Sequence, residues 1–350
     1  MESKNTHSAR PTRSALKALT MAAVIGFALT GCGGGAAGDN SGSRQLLLGH
    51  GADPSNPRSE AAEFFSNQVA ELTDDQLTVQ VQGSEQLGSD AEMMVSLSAG
   101  TLDLTANSQG AVSSSVPEMA LFGLPFLFES SEHAYEVVDG PIGDEVALAA
   151  ESAGFKVLSW WDNGIRDITN SKMPIETPGD VAGLKVRTPE DPMTIDIFNA
   201  LKANPTPLAF NELYLALQQG AVDGQENPIT NIASSKLHEV QAHLARTGHK
   251  YEVTPFIISM STWESLSTEQ QEAVQSAANE ARDMQRALMV ERSEELYAEL
   301  EGEIAITTPE LEPFRSATAD VYDKWSEKFP DLVEQFKSEA DSNRAEFASE

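Results

Sequence analysis

The segment GLKVRTPEDPMTIDIFNALKANPTPLAFNELYLALQQGAVDGQENP, residues Gly183–Pro228, carries the pattern that decides the fold. Leu184 to Thr188 reads as a strand. A helix is expected over 191–201, a strand near 205–208, a helix over 211–219 and a strand at 221–223. Strands that alternate with short helices belong to an α/β layer with parallel pairing. Open sheets of this kind place ligands beyond the C-terminal ends of their strands. Arg187 stands at such an end. Its planar guanidinium can hold a carboxylate with two hydrogen bonds, which a lysine cannot do. A structural role is equally open to it, because an acidic chain offers many protein carboxylates as partners. Arg166, near an expected crossover of the chain, is open to the same two readings.

The same alternation recurs upstream. Gln45–His50 is expected as a buried strand. Ala61, Phe64, Phe65, Val69 and Leu72 recur at helical spacing and predict a helix over 58–73. Leu77, Val79 and Val81 alternate with polar residues over 76–82, and a helix near 90–99 leads to a strand at 102–104. Leu121 to Phe128 is a dense apolar block expected in the core. A helix over 131–153 and a strand over 155–160 follow, with Trp160 to Gly164 at a crossover. Thr268 to Leu300 predicts one helix capped by Ser267, about 50 Å long at 1.5 Å per residue. That length exceeds one small lobe, so the helix is expected to lie across two. Residues 310–348 read as further amphipathic helices. The expected division is 44–165 with about 253–292 for the first lobe, and 166–252 with about 293–350 for the second.

The chain ends and the composition restrict what the protein can be. Residues 1–17 hold Lys4, Arg10, Arg13 and Lys17, and Ala18–Leu29 is almost wholly apolar. This is the pattern of a secretory signal, too short for a membrane-spanning helix. Leu29-Thr30-Gly31-Cys32 is similar to a bacterial lipobox, which makes Cys32, the only cysteine, the expected lipidation site and residues 1–32 a lipoprotein signal peptide. Residues 33–43 are small and polar, as in a flexible tether. The chain carries 54 acidic and 23 basic residues, a net charge of −31. Such a surface repels nucleic acid and anionic lipid and excludes both as non-specific partners. It is either a plain solvated surface or one suited to a saline exterior, where salt screens its self-repulsion.

Several segments together carry a resemblance. Gly183-Leu184-Lys185-Val186-Arg187, Pro205 to Gln218 and Val222-Asp223-Gly224-Gln225-Glu226-Asn227-Pro228 resemble the signature of the solute-binding proteins of TRAP (tripartite ATP-independent periplasmic) transporters, the DctP family. The likeness extends to Gln86-Leu87-Gly88, to Leu124–Phe128 and to Asn163-Gly164-Ile165-Arg166, in order along the chain. It implies an α/β fold of two lobes of the periplasmic-binding-protein type, with a long helix spanning both and a helical C-terminus. It further implies that Arg187 salt-bridges a ligand carboxylate, Arg166 supplies a second basic contact, Asn227 hydrogen-bonds the ligand, Phe210 packs on its carbon skeleton and Asn56 reaches it from the first lobe. Glu190, in Thr188-Pro189-Glu190-Asp191-Pro192, is individual to this chain. It either accepts hydrogen bonds from hydroxyls of a polyhydroxylated ligand or caps helix 191–201.

Enzymatic signatures are missing. The six histidines, at 7, 50, 133, 238, 243 and 249, have no zinc spacing, and the sequence contains no G-x-S-x-G elbow, phosphate-binding loop or dinucleotide fingerprint. The expectation is therefore a receptor without enzymatic activity, cofactor or metal, the paired arginines arguing against a calcium-held carboxylate. It would bind a small organic acid on the extracytoplasmic side and deliver it to a TRAP membrane permease, anchored to the membrane through Cys32. A sugar acid such as a uronate is favoured. A C4-dicarboxylate, sialic acid, a keto acid, ectoine or a sensory role are the alternatives.

Overall fold

The computed structural model describes residues 43–347; the expected signal segment, Cys32 and nearly all of the expected tether lie outside the described residues. Nine strands form one sheet: β1 (Arg44–Gly49), β2 (Leu77–Gln82), β3 (Leu104–Ala106), β4 (Phe155–Asn170), β5 (Lys185–Thr188), β6 (Asn204–Pro207), β7 (Gly224–Asn227), β8 (His243–Ser259) and β9 (Ala305–Thr307). Their order is β2-β1-β3-β8-β4-β7-β5-β6, with β9 beside β8. Two parallel triads, β2-β1-β3 and β7-β5-β6, flank an antiparallel ribbon made of β4 and β8. Each ribbon strand, of 16 and 17 residues, runs roughly 50 Å at about 3.3 Å per residue, long enough to serve both triads.

The parallel alternation expected from the sequence is present, and the differences have local causes. The helix expected over 131–153 is two, Ser131–Val138 and Pro141–Ser152. Pro141 has no N–H to continue the first helix and is well placed at the start of a second. The strand expected over 155–160 runs on to Asn170. The strand expected at 221–223 is Gly224–Asn227. Gly224 lies so close to β4 that a Cβ there would fall 2.2 Å from the Thr169 carbonyl oxygen, which explains the glycine in Val222–Pro228.

Helix Thr268–Leu300 begins with a capping box between Ser267 and Gln270. Its first half, with Val274, Ala277 and Ala281, shares a core with Leu46, Phe65 and Phe256. Its end, with Leu296, Tyr297 and Leu300, packs with Leu213, Leu217 and Ile232. In between, Gln285 is fully buried, accepting from the Asp162 amide (2.8 Å) and donating to the Asp162 carbonyl (2.6 Å). A third core runs along the other side of the sheet from Met93 and Phe122 to Val186 and Phe198. The C-terminal helices cover it, Phe336 meeting Phe122 edge-on at 5.0 Å and the Trp325 indole donating to Asp196 (3.1 Å). The apolar block Leu121–Phe128 is core, as expected. Among the described residues no helix is long and apolar enough to cross a membrane.

Candidate functional site

The C-terminal ends of β1, β2, β5, β6 and β7 converge on a cavity of about 100 Å³ beside the middle of the β4–β8 ribbon. A second cavity, of about 260 Å³, adjoins it across Gly51, Glu85 and Phe210. Arg187, Arg166, Asn227, Phe210 and Glu190 all line the first. Asn163 lines it too, and Asn163 and Arg166 owe their place to an irregularity in β4. Asn163 and Arg166 are three residues apart and would point to opposite faces of a regular strand. The ladder to β8 skips Asn163, pairing Asp162 with Val253 and Gly164 with Glu252, and this bulge turns both side chains to the cavity.

Arg187, at the third position of β5, is 3% exposed. Its Nε and Nη2 both donate to the Leu208 carbonyl (2.9 and 2.7 Å), and its guanidinium lies 5.7 Å from the Phe210 ring centre. Among the described residues no carboxylate forms an ion pair with it. Burial therefore draws this guanidinium down to about 10, with the more distant Glu226 and Glu85 opposing. A buried cation held by a single carbonyl presents its remaining N–H groups to an anion.

Arg166 is as deeply buried, at 2% exposed, but is already neutralised. Nε and Nη2 bond the Glu226 carboxylate, Nη1 bonds Glu252, and Nη2 also reaches the Glu226 carbonyl (2.7 Å) and Asn227 Oδ1 (3.1 Å). Burial works against its charge, yet Glu226 and Glu252 hold its pKa above the ordinary value. Lys250 and Asp191 form a second buried pair beside it. Asn227 Oδ1 takes a further hydrogen bond from Asn231 Nδ2 (3.2 Å), and its own Nδ2 donates to Gln225 Oε1 (2.5 Å). The arrangement holds the Asn227 amide fixed at the cavity wall.

Two residues of Thr188–Pro192 divide the work expected of Glu190. Asp191 is the cap of helix Pro192–Ala200, accepting from Met193 N (3.0 Å) and Thr194 N (3.3 Å). Glu190 is thereby left exposed at the cavity rim, free of the capping role. Asn56 is not among the lining residues. Its Oδ1 caps helix Pro57–Leu72 through Arg58 N (3.0 Å) and its Nδ2 donates to Asn231 (2.8 Å). The expected first-lobe contact is thus consumed in a helix cap and in holding Asn231.

Other groups from the first half occupy the wall instead, and sequence reading missed them. Arg58, 6% exposed, donates through Nη2 to Asn163 Oδ1 (2.6 Å) and Thr254 Oγ1 (2.9 Å), while its Nε has no partner. It is the only lysine or arginine between Arg44 and Lys156, a signal that was available in the sequence. Glu85, 7% exposed, accepts from the Asn211 amide (2.8 Å), and burial with the neighbouring Asp90 charge pushes it up to about 7. Asp90 accepts from Ser108 N (3.2 Å) and Oγ (3.0 Å), and its Oδ1 is unpartnered. Glu85 and Asp90 flank the Gln86-Leu87-Gly88 motif. Among the described residues no cluster of three metal-binding side chains occurs.

Residues 48–328 match the family described as bacterial extracellular solute-binding protein, family 7 (DctP). An uncharacterised protein of Sinorhizobium fredii is 51% identical over 79% of this chain, which spans only 51% of that relative's length. The 2,3-diketo-L-gulonate-binding periplasmic protein of Escherichia coli is 35% identical, over 73% of this chain and 77% of that protein. The crystal structure of the sugar acid binding protein from Advenella mimigardefordensis, in complex with galactonate, superposes with a TM-score of 0.83 at 30% identity, covering 86% of this chain and 98% of that one. The family, the Escherichia coli relative and the Advenella structure are solute-binding receptors rather than enzymes. On the extent of the family match and on this fold, the chain belongs to family 7 of the bacterial extracellular solute-binding proteins, the DctP receptors of TRAP transporters.

Proposed function

We propose that this protein is the extracytoplasmic receptor for a sugar acid, an aldonate or uronate, which it binds through Arg187 and hands to a TRAP membrane permease. The observation that carries the reading is a buried arginine, at the ends of parallel strands, that has a cavity in front of it and no carboxylate among the described residues paired with it. A ligand carboxylate supplies the missing charge, and water exclusion strengthens the pair. Phe210 offers an apolar face for the carbon chain, and the fixed amide of Asn227 a polar contact. Arg166, saturated by Glu226 and Glu252, sets the position of Asn227 and adds at most a secondary contact. The two named relatives whose ligands are known hold sugar acids. Anchoring through Cys32 belongs to the same proposal.

Isothermal titration with galactonate, glucuronate, succinate, a keto acid, sialic acid and ectoine tests it. A sugar acid is expected to bind in the micromolar range or tighter. Arg187→Ala should weaken that binding by about 2–5 kcal/mol, because the ligand charge is then buried without a partner, or roughly 30-fold to several thousand-fold. Binding by Arg187→Ala within threefold of the unaltered protein refutes the role of Arg187. A shift in preference to succinate keeps the receptor and discards the sugar acid.

A further inference from the structure

Besides Glu190, exposed at the rim, four charged side chains of the cavity have no ion-pair partner among the described residues: Arg187, Arg58, Glu85 and Asp90. The other charges there belong to the buried network in which Arg166 and Lys250 face Glu226, Glu252 and Asp191, one acid in excess. Arg187 comes from β5 in the second half of the chain. Arg58, Glu85 and Asp90 come from the first, at the start of helix Pro57–Leu72, the loop after β2 and the start of helix Asp90–Ser98. Gly51 lies between the two acids and packs closely on them: a Cβ there would stand 3.1 Å from Asp90 Oδ1 and 3.3 Å from Glu85 Cγ.

We infer that Arg58, Glu85 and Asp90 form a second subsite that reads ligand hydroxyls, and that it selects a polyhydroxy monocarboxylate against the corresponding dicarboxylate. The inference rests on the reading in which the ligand carboxylate docks on Arg187. Hydrogen-bond complementarity supports it. A hydroxyl both accepts and donates, so it can accept a hydrogen bond from the unpartnered Nε–H of Arg58 and donate one to Asp90 or Glu85. A second carboxylate can only accept. It would gain Arg58 but face two acids to which it cannot donate, in a site whose paired network already carries an excess negative charge. The same geometry couples the two subsites. Glu85 accepts from Asn211 N, one residue beyond the Phe210 that stacks near Arg187, so the hydroxyl-reading acid and the carboxylate-binding arginine are joined through one backbone turn.

Paired ligands that differ only in the far terminus test this: galactonate against galactarate and glucuronate against glucarate, titrated calorimetrically at pH 7.5. The unaltered protein should prefer a monoacid over its diacid by at least ~30-fold, the scale of one or two charge-assisted hydrogen bonds. Glu85→Gln keeps an oxygen for the Asn211 amide. It should weaken the monoacid roughly tenfold and reduce the preference to below ~5-fold. Asp90→Asn provides an independent second variant with the same expectation, and thermal unfolding of both checks that they are folded. The inference is overturned if a diacid binds as tightly as its monoacid, or if a monoacid binds and neither variant changes the preference by more than twofold. Failure of the receptor reading is distinguishable: none of the four acids, nor succinate, binds the unaltered protein, or Arg187→Ala binds as well as it does, and the subsite assignment then falls with it.

Discussion

Arg187 and Arg166 share one cavity and are equally buried, but their surroundings impose opposite consequences on substitution. Arg166 sits between two carboxylates, so Glu226→Gln leaves a buried charge short of its partner and should cost about 3–5 kcal/mol of folding stability in urea denaturation. Arg187 is an uncompensated charge in the unliganded protein. Arg187→Met should therefore raise the unfolding temperature of the free protein by a few degrees while removing ligand binding, the usual opposition of stability and function. Glu85 makes a pH prediction with a definite sign. Its carboxyl is pushed up to about 7 in the fold, against 4.5 as its ordinary value. Between these two pH values the folded state holds a proton that the unfolded state has released, so this group's contribution to stability falls as pH rises. Glu85→Gln should remove that fall, visible as a difference from the unaltered protein that grows from pH 4.5 to 7 in thermal unfolding of both. Of the residues at this wall, Arg187, Phe210 and Asn227 were legible in the sequence because they lie inside one contiguous motif. Glu85 and Asp90 were not, and Arg58 stood out only as an isolated basic residue, because no local pattern says that a lone arginine at a helix start will meet a strand and a loop from elsewhere.

At the scale of elements, the β4–β8 ribbon and the long helix position the site together. The sequence indicated the helix through its length, its cap and its apolar side, and it indicated β4 only as far as 160. Strand β8 escaped notice because His243, Arg246, His249, Lys250 and Glu252 break any apolar alternation. Several of these are buried as members of the charged network rather than exposed as polar residues. The bulge at Asn163 is likewise invisible without its partner strand. The helix is fastened to the ribbon by Gln285, whose amide satisfies both backbone groups of Asp162 one residue before the bulge. Gln285→Ala should leave those groups unsatisfied in a buried seam and cost about 2–4 kcal/mol. The measurement is the urea midpoint, with a normal denaturant dependence showing that the fold is retained.

For the whole molecule, the surplus of acidic residues repels itself unless salt screens it. The unfolding temperature is expected to rise between low and molar NaCl, and a flat or falling value would remove the saline reading of the surface. The sequence by itself determined the α/β alternation, the long capped helix, the acidic surface and the arginine at a strand end, since these follow from periodicity, capping and charge over short windows. The tertiary structure alone decided which arginine is free. Arg166 and Arg187 are alike in sequence, and only the approach of Glu226 and Glu252 from two other strands separates a neutralised cation from an unpaired one. It also decided that Asn56 is consumed by a cap while Arg58, two residues on, faces the cavity. Local sequence sets what a segment can form; the burial and pairing of charge depend on distant groups, 60 and 86 residues away for Arg166, and those meet only in the fold.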